Sequence, residues 1–219
     1  MRWVPLESNP DVLNKYLTKL GVPDTWQFRD VLALDDDTLN SVPTPVAAVL
    51  LLFPRNAVED KHQLGKEVDE DKLYMIHQSA ENACGTVAVL HALINSRSMV
   101  HIPEDSYLAR FIAKTRDMNP NQRGVAMAED TELFEMHESL AHEGQTQVPN
   151  RESDTQQHFV AFVEKDDSLY ELDGRRTRPV LHGHTTLNSF LKDTAGVIRR
   201  FMERDADNVN FGVIALTAA

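Results

Sequence analysis

Cysteine is almost absent: the 219-residue chain carries a single one, Cys84. One thiol forbids an intramolecular disulfide and any zinc site built from several thiolates, and it points to a reducing compartment. Long hydrophobic runs are missing as well. The longest, Val46 to Phe53, falls far short of the roughly 20 residues a membrane-spanning helix requires and reads as a buried strand. The opening residues, Met1-Arg-Trp-Val-Pro-Leu6, lack the apolar centre of a secretory signal. No membrane partner is therefore expected, and the expected location is the cytoplasm with access to the nucleus. Positive charge is in deficit. A formal net charge of -12 argues against nonspecific binding to nucleic acid and suits a partner with a basic face. No repeat, low-complexity tract or linker stands out, so one domain over residues 1–219 is expected, as a monomer.

Metal-ligand spacing is lacking too. His137 and His142 bracket a Glu in a way that suggests a zinc-peptidase helix, but they lie five apart, and that motif needs a separation of four to place both rings on one helical face. The remaining histidines, His182 and His184 among them, show no third partner and are expected at the surface. Neither a metal nor a cofactor is expected.

What is present is concentrated around Cys84. The stretch Gln78-Ser-Ala-Glu-Asn-Ala-Cys84-Gly-Thr86 is a polar approach that runs into an apolar helix, with Val87, Leu90, His91 and Ile94 at helical spacing. Asn82 is placed to cap that helix through its side-chain oxygen, which puts Cys84 in the first turn. Unpaired N–H groups and the positive end of the helix dipole there favour a thiolate. Gln78, six residues upstream, supplies an amide donor able to fold back toward the same spot. A lone cysteine is most often a small buried hydrophobe. Its distant partners argue for more. His158 opens the alternating run His158-Phe-Val-Ala-Phe-Val163, and Asp173 closes the run Leu169-Tyr-Glu-Leu-Asp173. The polar turn between them allows a hairpin that sets His158 beside Asp173. Nucleophile, general base and orienting carboxylate are the parts of a catalytic triad.

These residues resemble the ubiquitin carboxyl-terminal hydrolases, a family of cysteine peptidases, in its short single-domain branch. The motifs that carry the resemblance are Gln78 with Asn82-Ala-Cys84-Gly-Thr86, Ala141-His-Glu-Gly-Gln-Thr146, His158-Phe159, Tyr170-Glu-Leu-Asp173-Gly-Arg175 and Phe201-Met-Glu-Arg204. The resemblance implies a papain-like α/β (α+β) fold with a mostly antiparallel sheet flanked by helices, and a knotted backbone. It also implies cleavage of whatever is attached to the C-terminal glycine of ubiquitin or of a related modifier. Carried over, Cys84 is the nucleophile, His158 the base and acid, Asp173 its orienter and Gln78 the oxyanion donor. Pro5, Leu6, Asn82 and Gln157 fall at substrate-binding positions. Gln157 is a departure, since members of the family often carry an apolar residue before the catalytic histidine. Ubiquitin's basic, arginine-bearing tail agrees with the acidity of this chain. The other classes to weigh are a ubiquitin-binding or storage protein with incidental hydrolysis, and a hydrolase of a related modifier.

In chain order, Ser8-Asn9-Pro10 signals a helix start and Gly21 its stop. Gln27 to Leu34 reads as a short strand or turn of helix, and Asp35 begins another helical turn. Arg55 to Asp71 reads as a surface connection, and Lys72 to His77 as a strand delivering Gln78. Ser106 to Thr115 reads as a packing helix, and Asn119-Pro120 opens one long helix reaching His137, with Gly124 as its weak point. A strand over Arg178 to His182, a helix with Leu187 to Met202 on its stripe and a final strand from Phe211 follow.

The segment from 142 to 157 has no secondary-structure signal, and in the family it is a loop crossing over the active-site cleft. Its contour of at most roughly 55 Å closes a ring about 15–20 Å across. Folded ubiquitin spans about 30 Å, so small or unfolded adducts are the expected leaving groups.

Overall fold

The computed structural model describes residues 2–54, 64–145, 156–204 and 209–219. It confirms the expected class, a mixed α/β fold built on one antiparallel sheet. In chain order the elements are α1 (Pro10–Leu20), β1 (Trp26–Asp30), α2 (Asp36–Ser41), β2 (Val46–Pro54), β3 (Lys66–Glu67), α3 (Cys84–Asn95), α4 (Tyr107–Thr115), α5 (Pro120–Ala128), α6 (Thr131–Ala141), β4 (Gln157–Lys165), β5 (Ser168–Leu172), β6 (Val180–His184), α7 (Phe190–Arg204) and β7 (Gly212–Ala218). The strand order is β1-β7-β2-β4-β5-β6-β3.

The central strands are apolar on both faces because helices cover both. Ala48 and Leu50 of β2, Phe159, Ala161 and Val163 of β4, and Ile214 and Leu216 of β7 join the core beneath α1 and α3. The alternate residues Val49, Leu51, Phe53, Val160, Phe162, Val213 and Ala215 meet α7 and Leu39 of α2 on the other side. The period of two thus splits one hydrophobic run between two cores. Phe162, fully buried against Phe201, is worth about 3–5 kcal/mol against truncation to Ala.

Where local chemistry was unambiguous, the elements start and stop as the sequence suggests. The Asn9 side chain accepts from Asp11 N–H ahead of Pro10, and Gly21 closes α1 at φ 83°. Ser106 caps α4 and Asp35 caps α2. The final strand lies inside the sheet, between β1 and β2.

Several expectations are corrected. The single long helix after Asn119 is two, because the Asp130 side chain accepts from Leu133 N–H and starts α6 afresh. Gly124 is not the break. It sits within α5, where a Cβ would fall 1.8 Å from the His77 carbonyl oxygen, so only glycine lets that helix approach. Leu187 is half exposed and precedes α7. Lys72 and Leu73 lie in a turn and bend, and Tyr74 to His77 joins no strand ladder, while the short β3 lies inside the stretch expected to be all connection. His182 is not at the surface: its ring packs against Phe162 and bonds Glu171 at 2.8 Å. Most of the crossover segment, residues 146–155, lies outside the described residues. Of its ends, His142 closes α6 and Gln157 opens β4.

Candidate active site

Cys84 is the first residue of α3, a helix buried on every face from Cys84 to Ile94. Its N-cap is Ala83, with no side-chain cap bond, so the first-turn N–H groups are left for whatever sits at Cys84. The cap position falls on Ala83, one residue past the expected Asn82. Asn82 lies in the left-handed region at φ 62°, which takes it out of the extended conformation a cap requires. Its amide instead donates to the Trp3 carbonyl at 3.2 Å.

The hairpin of β4 and β5, with Ala161 opposite Leu172, brings His158 to Asp173. His158 Nε2 lies 2.6 Å from Asp173 Oδ1, which also accepts from Arg175 N–H at 2.8 Å. Both side chains are buried. Nε2 is therefore committed to the carboxylate, and Nδ1 is the nitrogen left for the thiol. Nδ1 makes no formed hydrogen bond, yet the ring is near enough to act on Cys84. Burial pushes the thiol up, and this is outweighed by the hydrogen-bonding and charge influence of His158, so its pKa falls below the ordinary value. Burial works against the imidazolium, but the charge and hydrogen bond of Asp173 win and raise His158 to about 9. Asp173, despite burial, is held below the usual carboxylate range by His158 and the Arg175 amide. All three directions favour a thiolate facing an imidazolium.

Gln78 arrives on a segment strung along α3. Tyr74 N–H donates to Asn95 Oδ1 at 2.7 Å, and Asn95 Nδ2 returns a bond to Tyr74 O at 3.0 Å. Ile76 N–H lies 2.9 Å from His91 Nε2. Because a backbone N–H only donates, Nε2 must be the acceptor and the proton sits on Nδ1. Burial agrees, lowering the His91 pKa to about 4 and keeping the ring neutral. Next, His77 N–H donates to Pro120 O at 3.0 Å and Gln78 N–H to Gly174 O at 2.7 Å. Gly174 is required, since a Cβ would stand 2.8 Å from Val87 and 3.2 Å from Gln78 Cβ. One N–H of the Gln78 amide is spent on Ala80 O at 2.9 Å, which leaves the second free. Side chains of α3 thus replace the neighbouring strand, and sequence reasoning missed His91 and Asn95 in this role. Their polarity on an otherwise apolar helix was the available signal.

The N-terminal stretch closes the same region. Leu6 is buried and sits where a Cβ on Gly85 would come within 3.1 Å of it, while Pro5 is half-buried. Behind them runs a buried chain of bonds. Tyr16 Oη and Thr86 Oγ1 are 2.9 Å apart, Thr86 Oγ1 and His137 Nδ1 2.8 Å, and His137 Nε2 and Val4 O 2.5 Å. The Val4 carbonyl only accepts, which fixes the His137 proton on Nε2. His137 is thus structural. Gln157 is exposed, opposite Pro54 at the start of β4.

Comparison with known proteins places the chain. The family model described as "Ubiquitin carboxyl-terminal hydrolase, family 1" matches residues 3–203. A Drosophila melanogaster ubiquitin carboxyl-terminal hydrolase is 45% identical over 100% of this chain and 99% of its own length. The isozyme L1 of Rattus norvegicus is 39% identical, with 100% of both chains covered. Among solved structures, the catalytic domain of Trichinella spiralis UCH37 bound to ubiquitin vinyl methyl ester has the same fold. Its TM-score is 0.82 at 21% identity, covering 100% of this chain and 96% of that one. A buried thiol at a helix head, an imidazole tied to a carboxylate and a family match over residues 3–203 converge, and the chain belongs to the ubiquitin carboxyl-terminal hydrolases.

Proposed function

We propose that the chain is a thiol hydrolase that releases adducts from the C-terminal glycine of ubiquitin through Cys84, His158, Asp173 and Gln78. The observation that carries the reading is the 2.6 Å tie between His158 Nε2 and Asp173 Oδ1 beside a thiol whose pKa is lowered. His158 Nδ1 takes the thiol proton, and Sγ attacks the carbonyl carbon of the terminal glycine. The oxyanion is met by the free N–H of Gln78 and the Cys84 backbone N–H, donors worth about 3–4 kcal/mol each. Collapse breaks the bond to the leaving group, which departs with the proton from His158. Water then attacks the thioester, His158 takes its proton, and Cys84 leaves as thiolate. Pro5, Leu6, Asn82 and Gln157 are proposed to contact ubiquitin directly or to shape the surface it meets. The active unit is a monomer in the cytoplasm and nucleus.

One observation favours a second reading, a ubiquitin-binding protein with incidental hydrolysis: the resting Nδ1 of His158 has no formed hydrogen bond. A ubiquitin C-terminal fluorogenic amide, assayed beside the same derivative of a related modifier, separates the readings. Rapid turnover of the ubiquitin amide that vanishes in Cys84→Ala, with ubiquitin affinity retained, supports hydrolysis. Tight binding with negligible wild-type turnover supports storage.

A further inference from the structure

Beside the triad lies a largely buried charge cluster of which the mechanism above uses only Asp173. Glu171 lies near the end of β5 and Asp173 just past it, and both carboxylates turn toward Arg176. Both are buried. Between them sits Arg176, whose Nε is 3.9 Å from Glu171 Oε1 and 3.9 Å from Asp173 Oδ2. That nitrogen is buried and bonds neither oxygen. The guanidinium is anchored at its tip, where Nη1 meets Glu67 Oε1 of β3 at 3.4 Å. Glu171 is fixed in turn through its other oxygen, 2.8 Å from His182 Nε2. Two neighbouring carboxylates out of water repel, and a cation shared between them offsets that repulsion. Asp173 Oδ1 already serves His158 and the Arg175 amide, and Oδ2 looks toward Arg176.

We propose that Arg176, seated by Glu67 and Glu171, is a positioning residue that sets the orientation and charge of the Asp173 carboxylate and, through it, of His158. This rests on the hydrolase reading for its kinetic consequence, but not for its chemical one. Facing the cluster are Glu67 from β3, Glu171 from β5, His182 from β6, His158 from β4, and Cys84 and His91 from α3. Arg176→Met keeps the bulk of the side chain and removes the fork and the charge. If Arg176 orients Asp173, the imidazolium loses part of its partner.

The experiment compares full-length wild type, Arg176→Met, Arg176→Lys and Glu67→Gln. It reads kcat and KM on the ubiquitin fluorogenic amide across pH, and the rate at which iodoacetamide alkylates the lone cysteine across pH. Expected for Arg176→Met are a kcat about tenfold lower, KM within about twofold, an upper pH limb displaced downward, and slower alkylation at neutral pH. Arg176→Lys recovers part of the loss, and Glu67→Gln, altered at a partly exposed residue, shifts both readouts in the same direction by a smaller factor. An upper limb that moves upward would mean that the cation acts only by repelling the imidazolium directly and not through Asp173, and an unchanged limb and alkylation profile would mean that it only supports the fold. Either result overturns the proposal. Should Arg176→Met fail to fold, Arg176→Lys and Glu67→Gln decide by the same criteria. Because alkylation needs no ubiquitin, absent wild-type turnover sinks the hydrolase reading while the alkylation profiles still judge Arg176.

Discussion

Asp173→Asn is the sharpest probe of the charge arrangement. The substitution preserves size and keeps one oxygen able to accept from His158 Nε2–H, so what it removes is the negative charge. With the ring charge centred roughly 4 Å from the carboxylate and an effective dielectric constant of about 20, that charge is worth about 4 kcal/mol to the imidazolium. A neutral hydrogen bond in the same place returns about 1 kcal/mol. The balance, about 3 kcal/mol, corresponds to roughly a hundredfold loss in kcat. The neighbourhood deepens the loss, because an amide oriented with its oxygen toward His158 turns its NH2 toward the cationic Arg176, near Asp173 Oδ2. The pH profile should change with the rate. In the wild type the reactive ion pair exists above the lowered thiol pKa and below the raised His158 value, about 9. Without Asp173 the upper limb should retreat by more than one pH unit, narrowing the active window from its alkaline side. Steady-state turnover of the ubiquitin fluorogenic amide between about pH 5 and 10 measures both effects. A variant whose kcat stays within about twofold of wild type, with an unmoved alkaline limb, refutes the charge argument.

Gln78→Ala should lower kcat by about a hundredfold with KM little changed, since its free N–H meets only the oxyanion; a rise in KM alone would make it a ground-state contact. His91 predicts an acid weakness. Its folded pKa, about 4, lies below the ordinary 6.5 or so, so the unfolded chain binds the extra proton. The stability associated with the neutral ring is complete above pH 6.5 and is lost as pH falls toward 4, by up to about 3 kcal/mol. Urea unfolding at pH 7 and pH 4.5 should show less of this slope in His91→Gln. Inserting about ten Gly/Ser residues between 146 and 155 should speed cleavage of folded diubiquitin, while a short unstructured extension is cleaved at the same rate; equal wild-type rates on both substrates would remove the loop from specificity.

Local signals were readable where one residue type has one good use. Asn9 before Pro10, Gly21 after Leu20, Ser106 and Asn119 all act at helix ends as their chemistry dictates. The alternating runs that became β4 and β5 were enough to bring His158 and Asp173 together, because a hairpin leaves few registers that bury one face on each side. What escaped was set by distant partners. Asn82 had the composition of a cap, but the reach of its amide to Trp3 decided its backbone. Lys72 to His77 had a strand's composition, but its hydrogen-bond partners are scattered, side chains at Asn95 and His91 and a backbone carbonyl at Pro120. His182 looked like surface because the carboxylate that makes its burial inexpensive, Glu171, belongs to another strand. The link from Arg176 to Glu67 crosses 109 residues, a separation at which no periodicity speaks.

The tether of Tyr74 to Gln78 carries a consequence for how the chain tolerates drift. In a ladder, several equivalent backbone bonds share the load, and none of the side chains holds the strand. Here each attachment is different and solitary: an amide at Asn95, an imidazole at His91, a carbonyl at Pro120, another at Gly174. Substitutions at His91 and Asn95, deep in the helix and far from any substrate, should therefore be felt at the amide of Gln78 and lower kcat.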